Sequence, residues 1–198
     1  MVTRERIPYG PHPDQWGELF LPESAGPGAP RSRPGTVVVI HGGYWRDQWT
    51  AELGLATALD LAEHGYAVWN LEYRRAGSSG GGAGRTGAGG WPATFRDIAM
   101  GIDHLANVAR PAGVDPSRVV ALGHSAGGHL AVWAAGRAAH AARTGGERPA
   151  VPLAGVVSQA GILDLSAAHR LRLSNDAVAN LMGGAEAEHP AEYALADP

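Results

Sequence analysis

The chain has 198 residues, 44% apolar and 18% charged, which bounds one ordinary globular domain with a sizeable core. A formal net charge of −3, with all sixteen basic side chains arginines scattered along the chain, excludes a nucleic-acid or charged-membrane partner as the expectation. Cysteine is absent, which excludes disulfides and thiolate metal sites and fits a cytoplasmic protein, and no stretch approaches the ~20 apolar residues of a membrane helix.

Met1–Gly10 carries Arg4 and Arg6 but no apolar run, so no signal peptide is expected to start there. Trp16–Leu21 reads as a short strand, and the Pro-, Gly- and Ser-rich stretch Glu23–Gly35 as a loop. Thr36–Ile40 is a β-branched run, the pattern of a strand buried on both faces of a parallel sheet. Ala51–Glu63 has helical spacing with Leu55, Leu59 and Ala62 on one face, and Gly65 ends it. Tyr66–Leu71 is the next strand. Gly77–Gly90 is nearly all Gly, Ala and Ser and reads as a flexible loop, because it lacks the closing residues of a phosphate-binding loop. Trp91-Pro92 opens a helix through about Ala109, with Phe95, Ile98, Ile102 and Leu105 in one stripe. Arg118–Leu122 is a third buried strand, Ala126 to about Ala142 an Ala-rich helix, and Ala154–Ser158 a fourth strand; Asp164–Met182 is weakly helical. This rhythm predicts an α/β domain with a doubly wound, mostly parallel sheet.

The strongest chemical signal is Gly123-His124-Ser125-Ala126-Gly127, set between a buried strand and a helix. The flanking glycines suit a sharp turn that lifts a serine hydroxyl off the sheet and aims the helix N-terminus and the Ala126 amide at an incoming carbonyl. The second signal, His41-Gly42-Gly43-Tyr44-Trp45, directly follows a strand. An acyl-transfer site needs at least two N–H donors for its oxyanion. Gly43 or Tyr44 is expected to join Ala126 in that role, with Gly42 permitting the turn and His41 bracing the loop through backbone hydrogen bonds. Trp45 and Trp49 either line an acyl or aryl pocket or pack in the core. His129, four residues after Ser125, reads as structural, and no H-E-x-x-H metal motif is present. No metal and no cofactor is expected.

Taken together, His41–Trp45, Glu72-Tyr73-Arg74-Arg75 and Gly123–Leu130 resemble the α/β-hydrolase superfamily, and within it the arylformamidase-like and small-carboxylesterase branch. Tyr9-Gly10, Gln15 and Leu19–Pro22 are similar to the opening of that branch. The resemblance implies a serine hydrolase that cleaves esters or small (aryl)amides through an acyl-enzyme on Ser125. It also implies the order serine, acid, histidine, with the acid after the next strand and the histidine after the one following. Ala196-Asp197-Pro198 stands where the acid-bearing strand is due, so the domain reads as incomplete at its C-terminus, with acid and base expected beyond it. An internal set, Ser125, Asp164 and His189, is formally available, but His189 precedes Pro190 in a polar stretch with no strand to hold it. Two consequences are expected of the 198 residues themselves: little turnover, and self-association through a bare Ala154–Ser158 edge. The alternative is a non-catalytic remnant that binds a small molecule or a partner.

Overall fold

A computed structural model describes residues 2–22, 35–77, 89–112 and 114–198, the side chains of 109–112 excepted. The expected loops fall largely outside this set, at 23–34 and 78–88. The chain opens with two strands, β1 (Val2–Pro8) and β2 (Trp16–Pro22), followed by β3 (Thr36–Ile40). A 3-10 turn (Ala51–Gly54) leads into α1 (Leu55–Glu63) and β4 (Ala67–Leu71). Next come α2 (Ala93–Asp103), α3 (Leu105–Ala112), β5 (Val119–His124), α4 (Ala126–Thr144) and β6 (Gly155–Gln159). Three helices close the described chain: α5 (Leu165–Arg170), α6 (Leu173–Met182) and α7 (Pro190–Ala196).

The six strands form one sheet in the order β1-β2-β4-β3-β5-β6. The four buried strands expected from the sequence lie side by side and parallel; β2, the short strand expected at Trp16–Leu21, and β1 extend them antiparallel. Within β3 the side chains alternate between two cores. Val38 and Ile40 join Trp69, Leu71, Ile98, Ile102 and Leu130 on one face, whereas Val37 and Val39 join Phe20, Val68, Ala58 and Ala62 on the other. Helices therefore cover both faces, as a doubly wound sheet requires.

Four elements differ from the sequence reading. β1 was not foreseen because it carries no apolar pattern: it is an edge strand whose Arg4 pairs with Glu18 at 2.7 Å and whose Arg6 lies 3.7 Å over the Trp16 ring. In α1 the buried face is Ala58 and Ala62, while Leu59 is 38% exposed. Small residues let this helix lie close to the sheet; Gly54, just before it, has room for no Cβ beside Asn70 and Val39. The long helix expected from Trp91 divides at His104, although Phe95, Ile98, Ile102 and Leu105 are all buried as the stripe required. The weakly helical Asp164–Met182 likewise divides, with Arg172, Ser174, Asn175 and Asp176 in left-handed conformation.

Because Ile40 is level with Leu71 on one side and Gly123 on the other, β3, β4 and β5 end in one row. The chain leaves β3 for β4 on one side and returns to β5 on the other. β3 is thus the point where winding reverses, and the crevice beyond the carboxyl ends of its strands is where such sheets hold ligands.

Candidate active site

Ser125 stands between β5 and α4 with φ 54° and ψ −119°, a conformation costly for any residue with a Cβ. Glycines make the turn possible. A Cβ at Gly123 would fall on the Gly127 carbonyl oxygen, and one at Gly127 would fall on Ile40 O and lie 2.6 Å from His41 O. The turn is held by its backbone: Ser125 N–H donates to Gln159 O of β6 at 2.8 Å, and Ser125 O accepts His129 N–H at 3.1 Å. The Ser125 hydroxyl has no hydrogen-bond partner among the described residues. Ala126 begins α4, so its amide is one of the donors a helix leaves without an internal acceptor, at the positive end of the helix dipole.

The facing wall is the loop after β3. Gly42 packs directly on the serine turn: a Cβ there would lie 2.6 Å from His124 O and 3.3 Å from Ser125 Cβ. Gly43 (φ 108°), Tyr44 (φ 50°) and Trp45 (φ 56°) follow in positive-φ conformation. Among the described residues the amides of Gly43, Tyr44 and Ala126 meet no acceptor. A cleft of about 460 Å³ opens between this loop, Ser125 and the start of α1, with Trp49, Leu53 and Thr57 on its outer side and His124 and Gln159 beside the serine. The two tryptophans separate here: Trp49 lines the cleft at 41% exposure, whereas Trp45 is fully buried with its ring edge-on to His129.

Beneath the loop lies a group of buried charges. His41 Nδ1 meets Gly42 O at 2.9 Å and its Nε2 meets Glu72 Oε1 at 3.0 Å, so both ring nitrogens are engaged. Its ring stacks on Tyr73 at 4.3 Å, and Tyr73 Oη donates to His41 O at 2.8 Å. Glu72 also accepts the amides of Ala51 and Tyr73, each at 2.9 Å, and the guanidinium of Arg75, which reaches on to Asp14 at 3.2 Å. Burial alone would raise the Glu72 carboxyl, but its bonds to His41 and the charges of His41 and Arg75 outweigh it and hold the group below its ordinary value. Arg74 forms a two-pronged pair with fully buried Asp97, at 2.8 and 2.7 Å. Sequence reasoning treated residues 72–75 only as part of a resemblance. The overlooked signal was four polar or charged residues directly after a fully buried strand, where each charge must find a partner.

The remaining predicted residues lie apart from the cleft. Asp164 caps α5, accepting Ala167 N–H at 2.6 Å, and His189 is the residue before α7; neither lines the cleft. His169 pairs instead with Asp176 at 2.7 Å. His129 is fully buried, with Nε2 donating to Ala196 O at 2.9 Å, and desolvation lowers its pKa to about 4 despite that bond. Among the described residues no three His, Asp or Glu side chains are grouped to hold a metal ion, and no helix is long and apolar enough to cross a membrane.

A family model described as BD-FAE matches residues 21–198. A probable isoprenylcysteine alpha-carbonyl methylesterase of Arabidopsis thaliana is 31% identical over 128 residues, 65% of this chain and 26% of its own. Esterase B of Lactobacillus rhamnosis shares the fold with a TM-score of 0.76 at 23% identity, over 98% of this chain and 60% of its own. A bacterial heroin esterase is 25% identical with a TM-score of 0.64, over 93% and 55% of the two chains. The chain thus spans about a quarter of the methylesterase and under two thirds of either esterase.

Proposed function

From the premise that the chain belongs to the BD-FAE family, a family of α/β-hydrolase esterase type, we propose that it belongs to a cytoplasmic serine hydrolase that cleaves carboxylic esters or small (aryl)amides through an acyl-enzyme on Ser125. The single observation that carries this reading is the packing of Gly42 against the Ser125 turn. That contact draws the loop that carries Gly43 and Tyr44 up to the turn that carries Ser125 and Ala126, which supports reading their free amides as donors to one oxyanion.

In this reading Ser125 Oγ attacks the substrate carbonyl carbon and loses its proton to a general base. The carbonyl oxygen becomes an oxyanion held by the Ala126 amide and that of Gly43 or Tyr44. The carbon–oxygen or carbon–nitrogen bond then breaks, the alcohol or amine leaves with the proton, and water releases the acid from Ser125. His41 is not the base, since both its nitrogens are engaged, and Asp164 and His189 do not line the cleft. Without a positioned base such a site retains about 10³–10⁴ over water from oxyanion binding alone, with or without its serine, so net turnover by these 198 residues is expected to be slow. Incubation with p-nitrophenyl acetate followed by peptide mass spectrometry tests the acyl-enzyme instead. An acetyl group on the peptide holding Ser125, absent in Ser125→Ala, supports the reading, and acetylation no greater there than at the other serines overturns it.

A further inference from the structure

We propose that Glu72 is a positioning residue for the oxyanion donors, a role that rests on the proposed function of the Ser125 cleft. The loop carrying Gly43 and Tyr44 begins at His41 and ends at Thr50. Both of its ends are tied to one carboxylate: Glu72 Oε1 takes His41 Nε2 at 3.0 Å and Glu72 Oε2 takes the Ala51 amide at 2.9 Å. The next residues of the same segment add further ties. Tyr73 Oη donates to His41 O, and Ala76 N–H donates to Trp45 O, each at 2.8 Å. Three successive positive-φ residues, Gly43, Tyr44 and Trp45, lie between the anchors, and such backbone persists only where its surroundings over-determine it.

Glu72 itself is 2% exposed; its Oε1 accepts from His41, Tyr73 and Arg75 and its Oε2 from Ala51. A carboxylate in that position can only accept hydrogen bonds, which suits it to bind two N–H groups on opposite ends of a loop. An amide of the same size presents one acceptor oxygen and one NH₂ group, so it can satisfy one anchor while facing the other with a donor. A group needed only for core stability would affect the whole sheet. A group that positions the loop acts on residues 41–51 and, through Gly43 and Tyr44, on the reaction at Ser125.

The test uses the whole chain as wild type, Glu72→Gln and Ala51→Pro. The second variant deletes the N–H that Glu72 Oε2 accepts and closes a proline ring at a buried position; it sits at the first residue of the 3-10 turn, after Thr50 in the extended conformation that a following proline favours. Deuterium uptake is measured by mass spectrometry, and labelling of Ser125 by a fluorophosphonate is followed as maximal rate and half-saturating concentration. Both variants are expected to take up more deuterium in 41–51 with 119–130 unchanged. Both are expected to lose about tenfold in maximal labelling rate while half-saturation shifts less than about threefold. Unchanged uptake at 41–51 in a folded variant, or a wild-type maximal rate, overturns the role of Glu72. If Glu72→Gln unfolds throughout, Ala51→Pro decides by the same criteria. If wild-type Ser125 takes no label, the proposed function fails by itself, and the uptake at 41–51 alone upholds or overturns the anchoring.

Discussion

Gly42 lies so close to His124 that a Cβ on the glycine would stand 2.6 Å from the histidine's carbonyl oxygen, well inside contact distance. The loop after β3 and the turn after β5 are therefore one surface. Gly42→Ala must push the two apart by several tenths of an ångström. We expect the labelling rate at Ser125 to fall by about 10²-fold, the scale of losing one oxyanion donor, while circular dichroism shows a folded protein. A wild-type rate in the alanine variant contradicts the contact.

Arg74 is the counter-charge of Asp97, whose side chain is fully buried. Removing the arginine leaves that carboxylate without its countercharge, still accepting the Gln15 side-chain amide at 2.7 Å and the Arg74 backbone amide at 3.0 Å. Arg74→Met is expected to cost about 3–5 kcal/mol of unfolding free energy, read from urea midpoints. The double variant Arg74→Met, Asp97→Leu is expected to recover part of it, since no unpaired charge is then buried. A loss below ~1 kcal/mol for the single variant, the range of an exposed pair, sinks this account.

Acidification weakens the fold in two windows that meet near pH 4. Burial depresses His129 from its ordinary 6.5 to about 4 in the folded chain, so between those values the unfolded chain takes up a proton that the native one refuses. Stability is lost as pH falls from about 6.5 to about 4, with a slope of at most ~1.4 kcal/mol per unit. The Glu72 carboxyl is held below its ordinary 4.5, so its contribution is complete above that value and is lost at lower pH, as it protonates. His129→Gln keeps a donor for Ala196 O and is expected to flatten the first window only. Urea midpoints from pH 4 to 8 check this; an unchanged slope assigns the effect elsewhere.

How far the sequence carried varies by element. Buried parallel strands are legible because burial on both faces demands the unbroken β-branched run seen at Thr36–Ile40, and the glycines at 123 and 127 are legible because the turn has no room for a Cβ. β1 was not legible, since an edge strand with charged side chains has no apolar period. The buried face of α1 was misjudged because Leu59 looks like core, whereas close packing on the sheet selects Ala58 and Ala62. Glu72 escaped notice for another reason: no local pattern shows that His41 and Ala51 meet on one carboxylate. The register of β3 against β4 sets His41 beside Glu72, and the 3-10 turn after the loop brings Ala51 back to it.

β6 stands at the outer edge of the sheet, carries no charged residue from Gly155 to Gln159, and leaves Val157 46% exposed. We expect the 198-residue chain to self-associate through this strand, since an unprotected edge pairs with another chain. Val157→Lys is expected to shift the sedimentation profile to monomer at a concentration where the wild type is mostly associated. Identical profiles contradict the edge as the contact.

The central claim is that the backbone donors beside Ser125 make its hydroxyl the reactive one in the chain. Incubation with a fluorophosphonate followed by peptide mass spectrometry tests it most directly. The account predicts an adduct on the peptide holding Ser125 well ahead of those holding Ser117, Ser158, Ser166 or Ser174, and its disappearance in Ser125→Ala. An adduct spread evenly over these serines, or none on Ser125 after prolonged exposure, would contradict it.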